Sequence, residues 1–154
     1  MQTRFHPIAL LLFLGTGLTP IYSTAQPVLV PDYTEVTDER LLNPEAHNWL
    51  SYRGTLDGWG FSTLNEIDDG NVQQLEPVWS FSTGVLGGHE APPIVNNGVM
   101  FVTTPGNLVY AIDAASGDLL WRYKHDLPET YIAFHRTNRG VALYGDKVYT
   151  ATLD

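Results

Sequence analysis

From Asn48 onward, short runs of apolar and β-branched residues are punctuated by Gly, Asn and Asp roughly every eight to twelve residues, the rhythm of an all-β chain. The spacing predicts strands over Val78–Thr83, Val99–Thr104, Leu108–Asp113, Leu119–Tyr123 and Lys147–Leu153. Asn96-Asn97-Gly98 separates the run Pro93–Val95 from Val99–Thr104, and Asn-Gly between apolar runs is the strongest short-range hairpin signal. Pro105-Gly106-Asn107 and Ala115-Ser116-Gly117-Asp118 supply the next two turns. The expected unit is therefore a meander of four short antiparallel strands from about Ala91 to Tyr123. Only Asn71–Leu75 reads as helical, for a single turn. Residues 26–47 carry three prolines and several acidic residues without periodicity, which predicts an extended leader, either exposed or lying along the body.

The pattern repeats. Gly98-Val99-Met100-Phe101-Val102-Thr103-Thr104 resembles Asp146-Lys147-Val148-Tyr149-Thr150-Ala151-Thr152, displaced by 48 residues. A four-stranded unit returning at that period is what β-propeller blades produce. The residues accordingly divide into the leader (26–47) and the beginning of a propeller (48–154): an opening segment, a first blade and the start of a second.

The first residues differ from all of this. Arg4 and His6 precede an apolar run from Ile8 to Leu18, and Ser23-Thr24-Ala25 offers small residues before Gln26. This is the layout of a cleavable secretory signal over residues 1–25. The apolar run is about half the ~20 residues a spanning helix needs, and Gly15, Gly17 and Pro20 interrupt it. The formal net charge of −9 argues against a phosphate backbone as partner. With no cysteine in the chain, disulfides, zinc–thiolate sites and thiol chemistry are excluded from it.

One motif narrows the reading. Ala111-Ile112-Asp113-Ala114-Ala115-Ser116-Gly117-Asp118-Leu119-Leu120-Trp121 fits A-x-D-x-x-[ST]-G-x-x-x-W. Asp113 closes one strand, Ser116-Gly117 form the turn, and Trp121 lies on the returning strand, where its indole can stack on the neighbouring blade's backbone. This is similar to the tryptophan-docking motif of the pyrroloquinoline-quinone (PQQ) dependent alcohol dehydrogenases. Trp49-Leu50-Ser51-Tyr52-Arg53-Gly54 resembles that family's opening W-x-x-Y-x-x. Phe61 to Ile67, Asn71-Val72, Leu75 and Val78-Trp79 resemble the segment that follows, and Asn138-Arg139-Gly140-Val141-Ala142 its N-R-G-V-A.

The resemblance implies an eight-bladed propeller with PQQ on its axis, a Ca²⁺ or lanthanide ion as Lewis acid, and hydride transfer from an alcohol to the quinone. It implies Glu90 and Arg139 as cofactor-binding residues. Thr137, expected to share Arg139's face by strand alternation, joins them as a pocket residue, and Asn138 is expected to face away in a structural role. An arginine fork suits the carboxylates of PQQ. No metal ligand or catalytic base is assigned; the resemblance puts both beyond Asp154. Where family members carry two adjacent cysteines, this chain has Ala133 and Phe134. His89, His125 and His135 fall on separate loops and read as structural or exposed.

The implied partners are a small alcohol substrate and a cytochrome c or quinone as electron acceptor, in the periplasm; no nucleic acid and no transmembrane segment are expected, and homo-oligomerisation stays open. Docking-motif propellers also occur as non-catalytic scaffolds in outer-membrane assembly. Glu90 and the Asn138–Ala142 motif favour the dehydrogenase. One blade with the start of a second leaves apolar faces uncovered, so the expectation is the amino-terminal piece of such an enzyme, inactive alone.

Overall fold

The structure is a computed structural model and describes residues 33–128, 130, 135–152 and 154. The predicted signal over residues 1–25 and the Ala133-Phe134 pair lie outside them.

Four antiparallel strands form one sheet in chain order: β1 (Ile94–Asn96), β2 (Val99–Thr104), β3 (Leu108–Asp113) and β4 (Leu119–Lys124). Each connection follows from its turn residues. Asn97 and Gly98 adopt φ of 50° and 80°, and the flanking pair Asn96↔Val99 closes a two-residue turn whose twist matches the strands. Between β3 and β4, Asp113 Oδ1 accepts the Ala115 and Ser116 N–H groups, both at 2.9 Å. Those two bonds hold its carboxyl below the usual carboxylate range, that from Ser116 having the larger effect. The expected four-stranded meander is therefore present.

A second hairpin, β5 (Ala142–Tyr144) and β6 (Lys147–Tyr149), repeats the first. Ile94 pairs with Phe101 and Asn96 with Val99; 48 residues later Ala142 pairs with Tyr149 and Tyr144 with Lys147. The predicted strand Lys147–Leu153 is shorter than expected. Its ladder stops at Tyr149, opposite Ala142, the first residue of β5, and the Ala151 carbonyl accepts from the Asn138 side chain instead.

Both faces of the four-stranded sheet are covered, so β3 is buried through Val109–Ile112. On one face Val99, Phe101 and Ala111 pack with Val36, Leu50 and Leu143, joined by the partly buried Trp121. On the other, the Tyr110 ring meets Phe81 edge-on at 5.5 Å, and its hydroxyl donates to the Thr83 carbonyl at 2.8 Å.

One expectation needs correction here. Val78–Thr83 is not a strand: it pairs with no ladder, and side chains anchor it. The indole that covers the turn of the docking motif is Trp79. Its Nε1–H donates to the Ala114 carbonyl at 3.1 Å, and its ring lies so close over Gly117 that a Cβ there would sit 2.6 Å from Cδ2. Trp121 lies 6.0 Å from the Phe101 ring, in the cluster that also holds Leu143 and Val148 of the second hairpin.

The described part of the leader lies along the body and carries a short helix. Thr37 caps a five-residue helix, α1 (Asp38–Leu42), by accepting the Arg40 N–H, with Asp38 and Glu39 in its first turn; acidic groups there favour the helix dipole. Val36, 1% exposed, exchanges backbone hydrogen bonds of 2.9 and 2.7 Å with Gly145, and Trp49 does the same with Val95. The leader itself touches both sheets, because Asn96 of β1 also donates to the Thr34 carbonyl at 2.7 Å. Arg40 locks it: its guanidinium grips Glu45 at 2.7 and 3.0 Å, the Thr34 and Glu35 carbonyls, and Oδ1 of the fully buried Asn96.

Candidate functional site

Glu90 lies just before β1, and Arg139 just before β5. The two stand 49 residues apart, so the 48-residue repeat puts them on equivalent loops of consecutive sheets. The fold brings them together: Arg139 Nε donates to Glu90 Oε2 at 3.2 Å. Their side chains are 75% and 40% exposed respectively. A pair this open to water contributes on the order of 0–1 kcal/mol to stability, so stability alone gives little reason for the pairing. Arg139 makes no other hydrogen bond among the described residues, which leaves its two Nη groups available to an acceptor.

Thr137 packs near the loop that carries Glu90, its Cγ2 being 3.9 Å from where a Cβ on Gly88 would stand. The alternation argument for Thr137, Asn138 and Arg139 does not hold, because all three precede β5 and belong to no ladder. Asn138 is nevertheless structural. Its Nδ2 donates to the Ala151 carbonyl at 2.8 Å, while its Oδ1 accepts the Gly140 N–H at 3.0 Å. The segment is tied to the first sheet by the Gly106 N–H, which donates to the Arg136 carbonyl at 3.2 Å.

The loop before Glu90 is organised by side chains that the sequence did not single out. Thr83 Oγ1 lies 3.0 Å from His89 Nε2, and His89 Nδ1 lies 3.0 Å from the Gly87 carbonyl oxygen. Nothing in the spacing of Thr83 and His89 announces this; it depends on how the loop turns. His125 pairs elsewhere, with Asp154 at 2.9 Å. Asp126 is engaged by Lys124 rather than by Arg139. Among the described residues no three His, Cys, Asp or Glu side chains converge as a metal site, and no helix is long and apolar enough to cross a membrane.

The uncommitted Nη groups of Arg139 suit a planar ligand rich in carboxylate and carbonyl oxygens, while the Glu90 carboxylate orients the guanidinium and can accept from an N–H on such a ligand's edge. Comparison with known proteins points the same way. Residues 49–153 match the family model described as "PQQ: Glucose/ethanol/alcohol dehydrogenase, beta-propeller domain". The quinohemoprotein alcohol dehydrogenase ADH-IIG of Pseudomonas putida is 41% identical over 115 residues, covering 71% of this chain and 16% of that protein. A solved structure of ADHIIG from Pseudomonas putida superposes with a TM-score of 0.71 at 38% identity, over 78% of this chain and 18% of the other. A europium-containing methanol dehydrogenase gives 0.70 at 33%, over 76% and 22%. The chain spans between 16% and 24% of the length of the curated relatives it matches. The repeated hairpin, the docked indole and these matches agree: the chain belongs to the PQQ-dependent alcohol dehydrogenase family of β-propellers.

Proposed function

We propose that Glu90, Arg139 and Thr137 form one side of the PQQ pocket of an alcohol dehydrogenase exported to the periplasm. The observation that carries this is the meeting of Glu90 and Arg139 from equivalent loops of consecutive sheets. PQQ, when bound, would supply an ortho-quinone as hydride acceptor for an alcohol, and a Ca²⁺ or lanthanide ion would supply Lewis acidity. Arg139 offers a planar fork to the cofactor's oxygens and a fixed positive charge where negative charge develops. Glu90 accepts a hydrogen bond from the cofactor and keeps the guanidinium turned towards it. Thr137 packs beside the Glu90 loop and presents a small side chain to the cofactor. The metal carboxylates and the catalytic base come from other parts of the propeller, and the electrons pass on to a cytochrome c or a quinone.

The test is PQQ affinity in the full polypeptide carrying this sequence, by fluorescence titration. Arg139→Ala should weaken binding by about 1.5–3 kcal/mol, the worth of hydrogen bonds to charged groups. Glu90→Gln should cost less, because it keeps the shape and one acceptor. Unchanged affinity in both variants removes these residues from the pocket.

A further inference from the structure

Glu90 follows two glycines and a histidine, Gly87-Gly88-His89. Gly87 has φ 148°, a conformation that favours glycine and leaves the backbone free to take others. Such a stretch cannot by itself fix the direction of a carboxylate. His89 supplies the missing constraint. The Gly87 carbonyl can only accept, so the hydrogen lies on Nδ1, 3.0 Å away. In the neutral ring Nε2 then has a lone pair and no hydrogen, and it faces Thr83 Oγ1 at 3.0 Å, which must donate. Thr83 Oγ1 is oriented in turn by accepting the Val85 N–H at 3.3 Å. The Thr83 carbonyl receives the hydroxyl of Tyr110, a buried residue of β3. An unbroken chain of contacts therefore runs from the sheet interior through Tyr110 and Thr83 to His89, the residue next to Glu90.

We propose that His89, held in its Nδ1–H tautomer by Gly87 and Thr83, is a positioning residue that aims Glu90 at Arg139 and the cofactor. It touches neither, and it acts through the loop it fastens. The inference rests on the cofactor-pocket reading above, and the test has two arms that separate the two.

The first arm needs no cofactor. Nitrogen-15 NMR of the imidazoles in the full polypeptide, at a pH where the ring is neutral, should show the His89 hydrogen on Nδ1; His89→Asn identifies the signal by difference. A hydrogen on Nε2 overturns the proposal. The second arm is a double-mutant cycle read as PQQ affinity. Thr83→Val removes the donor and should weaken binding about three- to ten-fold, as expected for loss of one oriented hydrogen bond, while Thr83→Ser should restore it. In a Glu90→Ala background, which leaves no side-chain acceptor to aim, the same Thr83→Val change should add nothing. Equal weakening in both backgrounds, or none in either, overturns the positioning role. Unaltered affinity in both Glu90→Ala and Arg139→Ala overturns the pocket reading instead, whatever the tautomer proves to be. If Thr83→Val does not fold, His89→Asn takes its place in the cycle, since it reaches Gly87 but not Thr83.

Discussion

Replacing Gly117 by alanine isolates what the docked indole contributes. Two separate costs arise. The backbone sits at φ 79°, where any Cβ is strained by roughly 1–2 kcal/mol. The new methyl would also lie 2.6–2.8 Å from three atoms of the Trp79 ring, so the indole has to leave. Its departure forfeits the Nε1–H bond to Ala114, about 0.5–1.5 kcal/mol, and part of its buried surface, about 1–2 kcal/mol. Gly98 is the matched control: its φ is 80°, yet a Cβ there meets nothing within 4 Å. Gly98→Ala should therefore cost about 1–2 kcal/mol and Gly117→Ala about 2–3 kcal/mol more. Urea unfolding of the full polypeptide, followed by tryptophan fluorescence, measures both. Equal losses for the two variants would show that the stacked ring adds nothing beyond backbone strain, and the docking argument would fail.

The leader clamp predicts acid sensitivity. The Arg40 hydrogen bonds, followed by that from Asn48, lower Glu45 from 4.5 to about 2. The stabilisation is therefore fully present above pH 4.5 and is lost as the pH falls through about 2. Glu45→Gln should flatten that part of the stability profile; an unchanged acid slope would remove the clamp as its source. Arg40→Ala, which leaves the buried Asn96 Oδ1 without its donor, should lower stability by about 1–3 kcal/mol, read from the urea midpoint. Tyr110→Phe should cost about 0.5–1.5 kcal/mol and leave β2–β3 pairing intact, visible as unchanged amide protection in that ladder. The export proposal predicts a mature protein starting at Gln26; mass spectrometry finding an intact Met1 on exported material would refute it.

The hairpins of the first sheet could be read directly because their instructions are local. Asn97-Gly98 can reverse a chain wherever it stands, and Asp113 finds its acceptors two and three residues away. The segment Val78–Thr83 is different. Its composition is that of a strand, but a ladder needs a partner, and here Trp79, Phe81 and Thr83 are held by contacts to β3 and the turn that follows it. The helix α1 is too short for periodicity to reveal. Thr37 followed by Asp38 and Glu39 is a start signal with no periodic stretch behind it, and Arg40's reach to Asn96, 56 residues away, has no local signature. Glu90 and Arg139 each stood out by family resemblance, and the repeat explains why they meet. Thr83 and His89 carried no such pattern, because a hydrogen bond across a glycine-rich loop depends on the loop's path.

The bridge between Val36 and Gly145 has a consequence for the order of assembly. The two residues lie near opposite ends of the described chain, so their pairing closes a very long loop, with an entropic cost that local hairpins avoid. The β1–β2 turn can form as soon as its residues are made. Val36, synthesised earlier, must wait for β5 and β6 before its backbone finds a partner. Val36 is thus made before either sheet and fastened only after the second, so its closure records that two successive sheets have formed and docked. In hydrogen exchange, the amides of Val36 and Gly145 should open together, and sooner than those of β2 and β3.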